Sequence, residues 1–380
     1  MANPLDFDDG KEPLIDYPWY GEVDRLADWL KGQDTDVKCF AFDLIMSLAY
    51  IDATSGLERY LEYCPNAPNS YNLHLGFINL CSPCYEKTGK WVYQKAAKPQ
   101  SGALGKLSSE VILRFILKLS KNLNAVTSIG GVDSVDAVLI HENGCKILAE
   151  VKSAPLITYP ILLWETSCEA GKEHAKPNLT NSQFAELESA LYLHEQAILP
   201  LGKPKDDLWP FKMAVEFITN SSNQTIMNSA ANTWEKAKLA YMERNKGNPL
   251  YFLANASGNP PKIAKERDNW PGKESISDSK TSAGMDRTDD IKKGIYQVMK
   301  IGTIMKNLPE AHKYKTAIIS NLPAYRHGED YVNPFLNMLW GLESDLEQGK
   351  EGKFISIENL RRIFDFIITI DDPVLRELEL

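Results

Sequence analysis

The stretch DAVLIHENGCKILAEVK, from Asp136 to Lys152, is the part of the sequence on which the fold prediction depends. Two apolar runs, SVDAVLI and CKILAEV, flank the dipeptide Asn-Gly, which is a strong signal for a turn between antiparallel strands. An acid stands at the start of the predicted hairpin, and an acid and a lysine stand at its far end. The functional interpretation therefore depends on whether Asp136, Glu150 and Lys152 lie on the same face of the hairpin.

The length of the hairpin loop decides which charged side chains meet. With a two-residue turn, Asp136 would face Val151 and point away from Glu150. A three-residue loop at residues 142–144 instead pairs Asp136 with Glu150 and gives the loop glycine the left-handed position that such loops require. Lys152 then lies about 7 Å from Glu150 along the same face. We predict the three-residue loop.

Two carboxylates that face each other across a strand pair repel, so this arrangement needs a compensating charge. Mg²⁺ supplies one, because it takes one or two protein carboxylates and accepts phosphate oxygens. A lysine beside the ion can orient or deprotonate a water for attack on phosphorus. The alternative is a solvent-facing hairpin edge with ordinary surface charges. In both cases the apolar neighbours fill the opposite face: Val135, Ala137, Leu139, Ile147, Ala149 and Val151.

The motif VDAVLI…ILAEVKSAP resembles the active-site hairpin of the PD-(D/E)xK nuclease superfamily, to which many type II restriction endonucleases belong. Asp136 matches the first metal-binding acid of the family, Glu150 the second, and Lys152 the motif lysine. Val135 departs from the family pattern, where proline precedes the first acid. The resemblance covers residues 105–155 well and the remainder in outline. It implies an α/β (α+β) fold with a restriction-endonuclease-like mixed central sheet flanked by helices.

Two further residues are candidates through this resemblance. Family members commonly carry an acid on the helix before the hairpin, and Glu110 occupies a comparable place; alternatively, it is a first-turn glutamate that favours the helix dipole. The family also tends to follow the hairpin with a helix and a strand, often with a glutamine near the site. DDIKKGIYQVMKIG followed by KTAIIS fits best and makes Gln297 the candidate, whereas SQFAELESALYLHEQ followed by FKMAVEFIT competes with it.

The resemblance and the local patterns together predict the organisation of the chain. Residues 1–104 form a mostly helical N-terminal region, residues 105–160 and 286–380 the catalytic core, and residues 161–285 a long insertion that contacts DNA. Helices are predicted at 37–60, at 108–124 with Ser108 or Ser109 as cap, near 225–244, at 289–305, and in ENLRRIFDFIITI. Strands are predicted at 211–219, 249–256 and 315–320, and residues 258–288 form a long loop or inserted arm.

The cysteines suggest a second metal. Cys81 and Cys84 form a single C-x-x-C, and Cys64 lies upstream, which is half of a zinc pattern. Cys39 or His74 can supply a fourth ligand. Unligated thiols remain the alternative, since six cysteines in 380 residues do not describe a disulfide scaffold.

Charge and composition limit the possible partners. The net charge of -9 argues against indiscriminate coating of nucleic acid, but residues 86–121 carry eight Lys/Arg against two Glu. The acidic N-terminus is no signal peptide, and no apolar run is long enough for a membrane span, so we expect a cytoplasmic protein. Walker and Rossmann signatures are missing from the sequence, which disfavours dependence on ATP.

The combined expectation is a Mg²⁺-dependent type II restriction endonuclease that cleaves double-stranded DNA. Cutting both strands of a palindrome requires two active sites, so a C₂ homodimer is expected, and its host would need a cognate DNA methyltransferase. The alternatives are a repair or junction-resolving nuclease of the same superfamily, and a non-catalytic DNA-binding protein on this scaffold.

Overall fold

The computed structural model describes residues 17–54, 61–68, 71–94, 96–97, 101–128, 135–165, 175–254, 283–308, 310–373 and 375. Side chains are described in these ranges except at 101–102 and 125–128. The chain divides into two compact units. The hairpin unit contains Ile112–Ser153 and Gly284–Leu380, and the cysteine unit contains Asp16–Val111 and Ala154–Ala283.

Groups of helices and groups of strands follow one another along the chain, so the fold is mixed α/β. The α-helices are α1 (Tyr20–Leu30), α2 (Thr35–Ala53), α3 (Ser82–Thr88), α4 (Ser101–Leu119), α5 (Asn181–Ala185), α6 (Phe211–Thr219), α7 (Gln224–Met242), α8 (Thr288–Lys306) and α9 (Gly328–Tyr331). The strands are β1 (Glu62–Tyr63), β2 (Leu73–Leu75), β3 (Leu123–Ser128), β4 (Ala137–His141), β5 (Lys146–Val151), β6 (Ile161–Leu163), β7 (Ser189–Tyr192), β8 (Ile198–Gly202), β9 (Tyr314–Ile319), β10 (Leu339–Trp340), β11 (Leu346–Gly349), β12 (Gly352–Ile355), β13 (Arg361–Arg362) and β14 (Phe366–Ile368).

The hairpin unit is built on a five-stranded mixed sheet of order β14-β9-β5-β4-β3. β3, β4 and β5 are antiparallel neighbours, whereas β9 and β14 continue the sheet in parallel. β5 is therefore hydrogen-bonded on both sides, to β4 and to β9. Two small antiparallel pairs, β10 with β13 and β11 with β12, also belong to this unit.

Helix α8 covers one face of this sheet. Its apolar residues recur at helical spacing, its first turn carries two aspartates, and its last turn carries Lys306, which agrees with the helix dipole. Ile301 and Met305 pack against Val138 and Leu148. Gly294 lies against Ile318, the parallel register partner of Glu150. The predicted helix at 289–305 and strand at 315–320 are confirmed.

The cysteine unit contains a five-stranded sheet of order β1-β2-β6-β7-β8, all antiparallel. The buried carboxylate of Asp43 on α2 fixes the segment before β6, because it accepts hydrogen bonds from the backbone of Leu156 and Ile157 and from Trp234 Nε1 on α7. The predicted helices at 37–60 and 225–244 are observed as α2 and α7. Residues 55–60 and most of the predicted arm at 258–288 lie outside the described residues.

Four secondary-structure predictions are wrong in type or extent. FKMAVEFIT is the helix α6, because the residues that it buries follow helical spacing. PLYFLANA contains a short 3₁₀ helix, Pro249–Leu253, in which Asn248 accepts a hydrogen bond from the backbone of Leu250. ENLRRIFDFIITI contains β13 and β14 rather than a helix. Helix α4 starts at Ser101 and ends at Leu119, so neither Ser108 nor Ser109 is its cap.

Within the described residues, none of the helices is both long enough and apolar enough to cross a membrane.

Candidate active site and candidate metal centre

The hairpin β4–β5 has the predicted register. Ala137 pairs with Ala149, and the backbone N–H of His141 donates to the carbonyl of Cys145 at 2.9 Å, so residues 142–144 form a three-residue loop. Gly144 has φ +81°, a left-handed conformation that favours glycine. Continuing this register places Asp136 opposite Glu150. The predicted loop is confirmed.

The three charged residues meet at the end of β5. Lys152 Nζ lies 2.5 Å from Glu150 Oε1 and 3.8 Å from Asp136 Oδ2. Two backbone contacts fix this arrangement: Asp136 Oδ2 accepts from the Val151 N–H at 2.9 Å, and the Lys152 N–H donates to the carbonyl of Ile319 on β9 at 2.8 Å. Asp136, Glu150 and Lys152 thus share one face of the hairpin.

Exposure differs strongly within this group. Glu150 is buried, with 6% of its surface exposed, whereas the Asp136 side chain is 45% exposed and that of Lys152 is 21% exposed. The description of this edge as ordinary surface charges therefore does not hold for Glu150. The opposite face of the hairpin is apolar as predicted, with the exception of Val135, which packs with Val138 and Leu148 on the α8 side.

Electrostatics at the site follow from burial and from the two neighbouring charges. Burial raises the pKa of Glu150 to about 7; Lys152 opposes this rise and the like charge of Asp136 adds to it. Burial lowers the pKa of Lys152, but Glu150 and Asp136 together raise it above its usual value. Lys152 is therefore an ammonium group at neutral pH, and it neutralises part of the carboxylate charge.

This donor set fits a hard divalent cation. Two carboxylates from facing strand positions are the type of ligand that Mg²⁺ takes, and one of them is open to solvent and substrate. The contact between Lys152 and Glu150 shows that the site already holds a positive group against the buried acid. Asp136 and Glu150 are thus suitable metal ligands, and Lys152 is suitably close to act on a neighbouring water.

The other two predicted site residues are Glu110 and Gln297, and the structure does not define a catalytic role for either. Glu110 on α4 is buried in the cysteine unit, where Tyr20 Oη donates to its Oε2 at 3.0 Å. Gln297 lies on α8, and its Oε1 is buried without a hydrogen-bond partner within the described ranges. Their assistance in catalysis stays a prediction. Asp133, interpreted from the sequence as a turn residue, lies outside the described residues.

The structure adds one residue that the sequence interpretation did not single out. Asp290, in the first turn of α8, contributes to the raised pKa of Lys152. Adjacent acids at the start of a helix are ordinarily explained by the helix dipole, so the sequence TDDIKK gave no separate indication of a role at the site.

A cavity of about 520 Å³ in the hairpin unit is separate from these residues. Its lining includes Tyr314 and Lys315 at the start of β9, whereas Glu150 pairs with Ile318, about 10 Å further along the strand. Two of its lining charges form an ion pair, since Lys306 lies 2.5 Å from Asp345. It is therefore not the candidate active site.

The predicted cysteine group is assembled in the cysteine unit. Cys64, Cys81 and Cys84 are buried, and their sulfur atoms all lie within 4.8 Å of one another, so the cluster can bind a metal such as zinc. In the part of the chain that the structure describes, neither Cys39 nor His74 belongs to this cluster, so the prediction that one of them is the fourth ligand is not supported.

Comparison with known proteins adds no identity: no family model, curated protein or solved structure matches the chain. A fold alone would in any case leave the activity open, because one fold supports many functions. What the protein does must therefore be inferred from the side chains that the hairpin brings together.

Proposed function

We propose that the protein is a Mg²⁺-dependent endonuclease that hydrolyses phosphodiester bonds of double-stranded DNA, in the manner of a type II restriction enzyme. The observation that supports this proposal is the buried Glu150 facing the position of Asp136, with the Lys152 ammonium 2.5 Å from Glu150. A buried acid beside a second acid is unfavourable unless a cation joins them. Phosphodiester hydrolysis is a reaction that uses this combination of groups.

The order of elements also agrees with the resemblance. Helix α4 precedes the hairpin β4–β5, and α8 and β9 follow it, with β9 parallel to β5. This is the helix, hairpin, helix and strand expected of a restriction-endonuclease-like core. We include this finer fold assignment in the proposal.

In the proposed mechanism, Asp136 and Glu150 would hold the divalent ion, which would supply positive charge against the negative charge that develops on the phosphate and the leaving oxygen. Asp136, half-exposed, faces the side from which DNA approaches. Lys152 donates hydrogen bonds from its ammonium group and orients the attacking water toward phosphorus. Hydrolysis of both strands of a palindromic site requires two copies of the chain, and the proposed assembly is a C₂ homodimer.

The test is digestion of phage DNA with the purified protein in Mg²⁺ and, in parallel, in EDTA. We expect discrete fragments with Mg²⁺ only, whose sequenced ends define one site, and no fragments from Asp136→Asn. Smeared products would instead favour a non-specific nuclease, and preferential cleavage of branched DNA would favour a junction-resolving enzyme. DNA binding without any cleavage, in the presence of Mg²⁺ or Mn²⁺, would contradict the proposal.

A further inference from the structure

A second metal centre is indicated far from the catalytic hairpin in sequence, within the cysteine unit. Cys64 directly follows β1, Cys81 directly precedes α3, and Cys84 lies in the first turn of that helix. The sulfur of Cys64 lies 3.5 Å from that of Cys81 and 3.6 Å from that of Cys84. Tetrahedral zinc with Zn–S bonds of about 2.3 Å separates its sulfur ligands by about 3.8 Å. The three sulfurs are therefore close to the spacing that a zinc ion would impose.

Asn66 provides an independent indication that these sulfurs are ligands. Its side-chain amide donates to Cys84 Sγ at 3.3 Å. A thiol sulfur is a weak acceptor, whereas a metal-bound thiolate is stabilised by N–H donors in the outer shell. Asn66 thus directs an N–H donor at a sulfur of the cluster, which packing of neutral thiols does not require.

We propose that Cys64, Cys81 and Cys84 bind one zinc ion in a structural site, with a fourth donor completing the coordination. The ion would join the segment after β1 to helix α3. Three thiolates held by two separate chain segments, rather than by one loop, would make the ion a cross-link between those segments.

The proposed ion would also position the next contact along α3. Glu86 lies two residues after Cys84 and holds the turn between β7 and β8: it accepts hydrogen bonds from Tyr192 Oη and from the Glu195 N–H at 2.8 Å. His194 Nδ1 lies 2.7 Å from the same carboxylate. Anchoring α3 at its start would therefore stabilise the turn that Glu86 holds at the far edge of the same sheet.

The experiment measures metal in the full-length protein. Protein purified under reducing conditions and dialysed against metal-free buffer should contain one zinc per chain by atomic emission spectroscopy. Replacement of the metal by Co²⁺ should give a thiolate-to-cobalt charge-transfer band. Cys64→Ser, Cys81→Ser and Cys84→Ser should each lower the bound zinc at least tenfold, whereas the matched variants Cys39→Ser and Cys145→Ser, which alter buried thiols outside the cluster, should keep it.

A titration of the unaltered protein covers the case in which the serine variants do not fold. A mercurial reagent should release the zinc in step with modification of these thiols, followed with a metallochromic dye. The proposal is overturned if the wild-type protein binds neither zinc nor cobalt, if the three variants retain the metal, or if mass spectrometry finds two of these cysteines joined by a disulfide. The outcome is independent of the nuclease assay, because that assay tests residues of the other unit.

Discussion

The buried carboxyl groups of Asp43 and Glu150, one in each unit, have different surroundings. Asp43 accepts hydrogen bonds from two backbone N–H groups and from Trp234 Nε1, at 2.6 to 3.2 Å. Glu150 is held by Lys152 and faces the position of a second acid, Asp136. Burial raises the pKa of both groups, to about 8 at Asp43 and about 7 at Glu150.

From this difference we expect Asp43 to maintain the fold and Glu150 to serve the proposed chemistry. The oxygens of Asp43 are occupied by donors that belong to the fold, and its removal would leave those donors unpaired. Glu150 is paired with the side-chain cation of Lys152, and its second neighbour is the repelling carboxylate of Asp136. The contrast predicts that changes at the two acids affect different properties, and the following experiments are ordered from the largest expected effect to the smallest.

The largest effect is expected on catalysis at Lys152. Lys152→Met should lower the single-turnover rate of DNA cleavage by about 10²–10⁴-fold, because the hydrogen-bond donor that orients the attacking water is lost. The matched control is Lys146→Met on the same strand, whose side chain is exposed at the other end of β5. Equal cleavage rates for the two variants would contradict the proposed role of Lys152 in catalysis.

The next effect is expected on stability at Asp43. Asp43→Ala should lower the free energy of unfolding by about 3–5 kcal/mol, because three buried N–H donors lose their acceptor. Urea denaturation followed by tryptophan fluorescence measures this loss. Asp28→Ala, which removes an exposed ion pair with Lys31, should change stability by less than about 1 kcal/mol. A small loss at Asp43, similar to that at Asp28, would contradict the structural role.

A smaller effect is expected at Glu150 in the absence of divalent ions, where substitution should raise the free energy of unfolding rather than lower it. The folded-state pKa of about 7 exceeds the ordinary value of 4.5, so the unfolded chain releases this proton at lower pH than the folded chain. Stability should therefore fall between about pH 4.5 and 7. Glu150→Gln should remove this loss and be more stable than wild type at pH 8, by roughly 1–3 kcal/mol, and not at pH 4.

Addition of Mg²⁺ tests whether Glu150 is a metal ligand. The ion should raise the denaturation midpoint of the wild-type protein at pH 8 and leave that of Glu150→Gln nearly unchanged, because ligands that bind only the folded state stabilise it. If Glu150→Gln destabilised the metal-free protein at pH 8, Glu150 would be a structural acid like Asp43.

The smallest effect is expected at the loop that sets the register. Gly144→Ala should cost about 1 kcal/mol in the free energy of unfolding, because alanine resists the left-handed conformation although its Cβ would meet no neighbour within 4 Å. Gly105→Ala, in the helix α4 with equally open surroundings, should instead stabilise by about 0.5–1 kcal/mol. Differential scanning calorimetry distinguishes the two signs.

The site was more predictable from the sequence than the rest of the fold. The Asn-Gly dipeptide is a local signal, so the existence of the hairpin follows from it. Its register follows from the three-residue loop, which is preferred because it pairs Asp136 with Glu150 and gives Gly144 the left-handed position that it has in the structure. The segment FKMAVEFIT misled because its apolar residues fit both periods: Phe211, Met213 and Val215 alternate, yet the helix buries Phe211, Ala214 and Val215 and leaves Met213 exposed.

The C-terminal strand β14 shows a second limit of prediction from local sequence pattern. β14 pairs in parallel with β9, and Phe366 and its neighbours are buried on both faces, so their sequence lacks the alternation of a half-exposed strand. The partner strand lies about fifty residues earlier in the chain. Local pattern cannot identify such a pairing, and the grouping of residues 154–283 with the N-terminal region is equally non-local.

The close contact between Lys152 and Glu150 has a consequence for the protein before any ion binds. With the ammonium as its counterion, the charge of the buried acid is partly neutralised while no ion is bound. A divalent ion bound at Glu150 would compete with that ammonium for Oε1, the carboxylate oxygen that Lys152 contacts. Binding of the ion would then weaken the ion pair between Lys152 and Glu150, so ion binding and the position of Lys152 would be linked in the proposed enzyme.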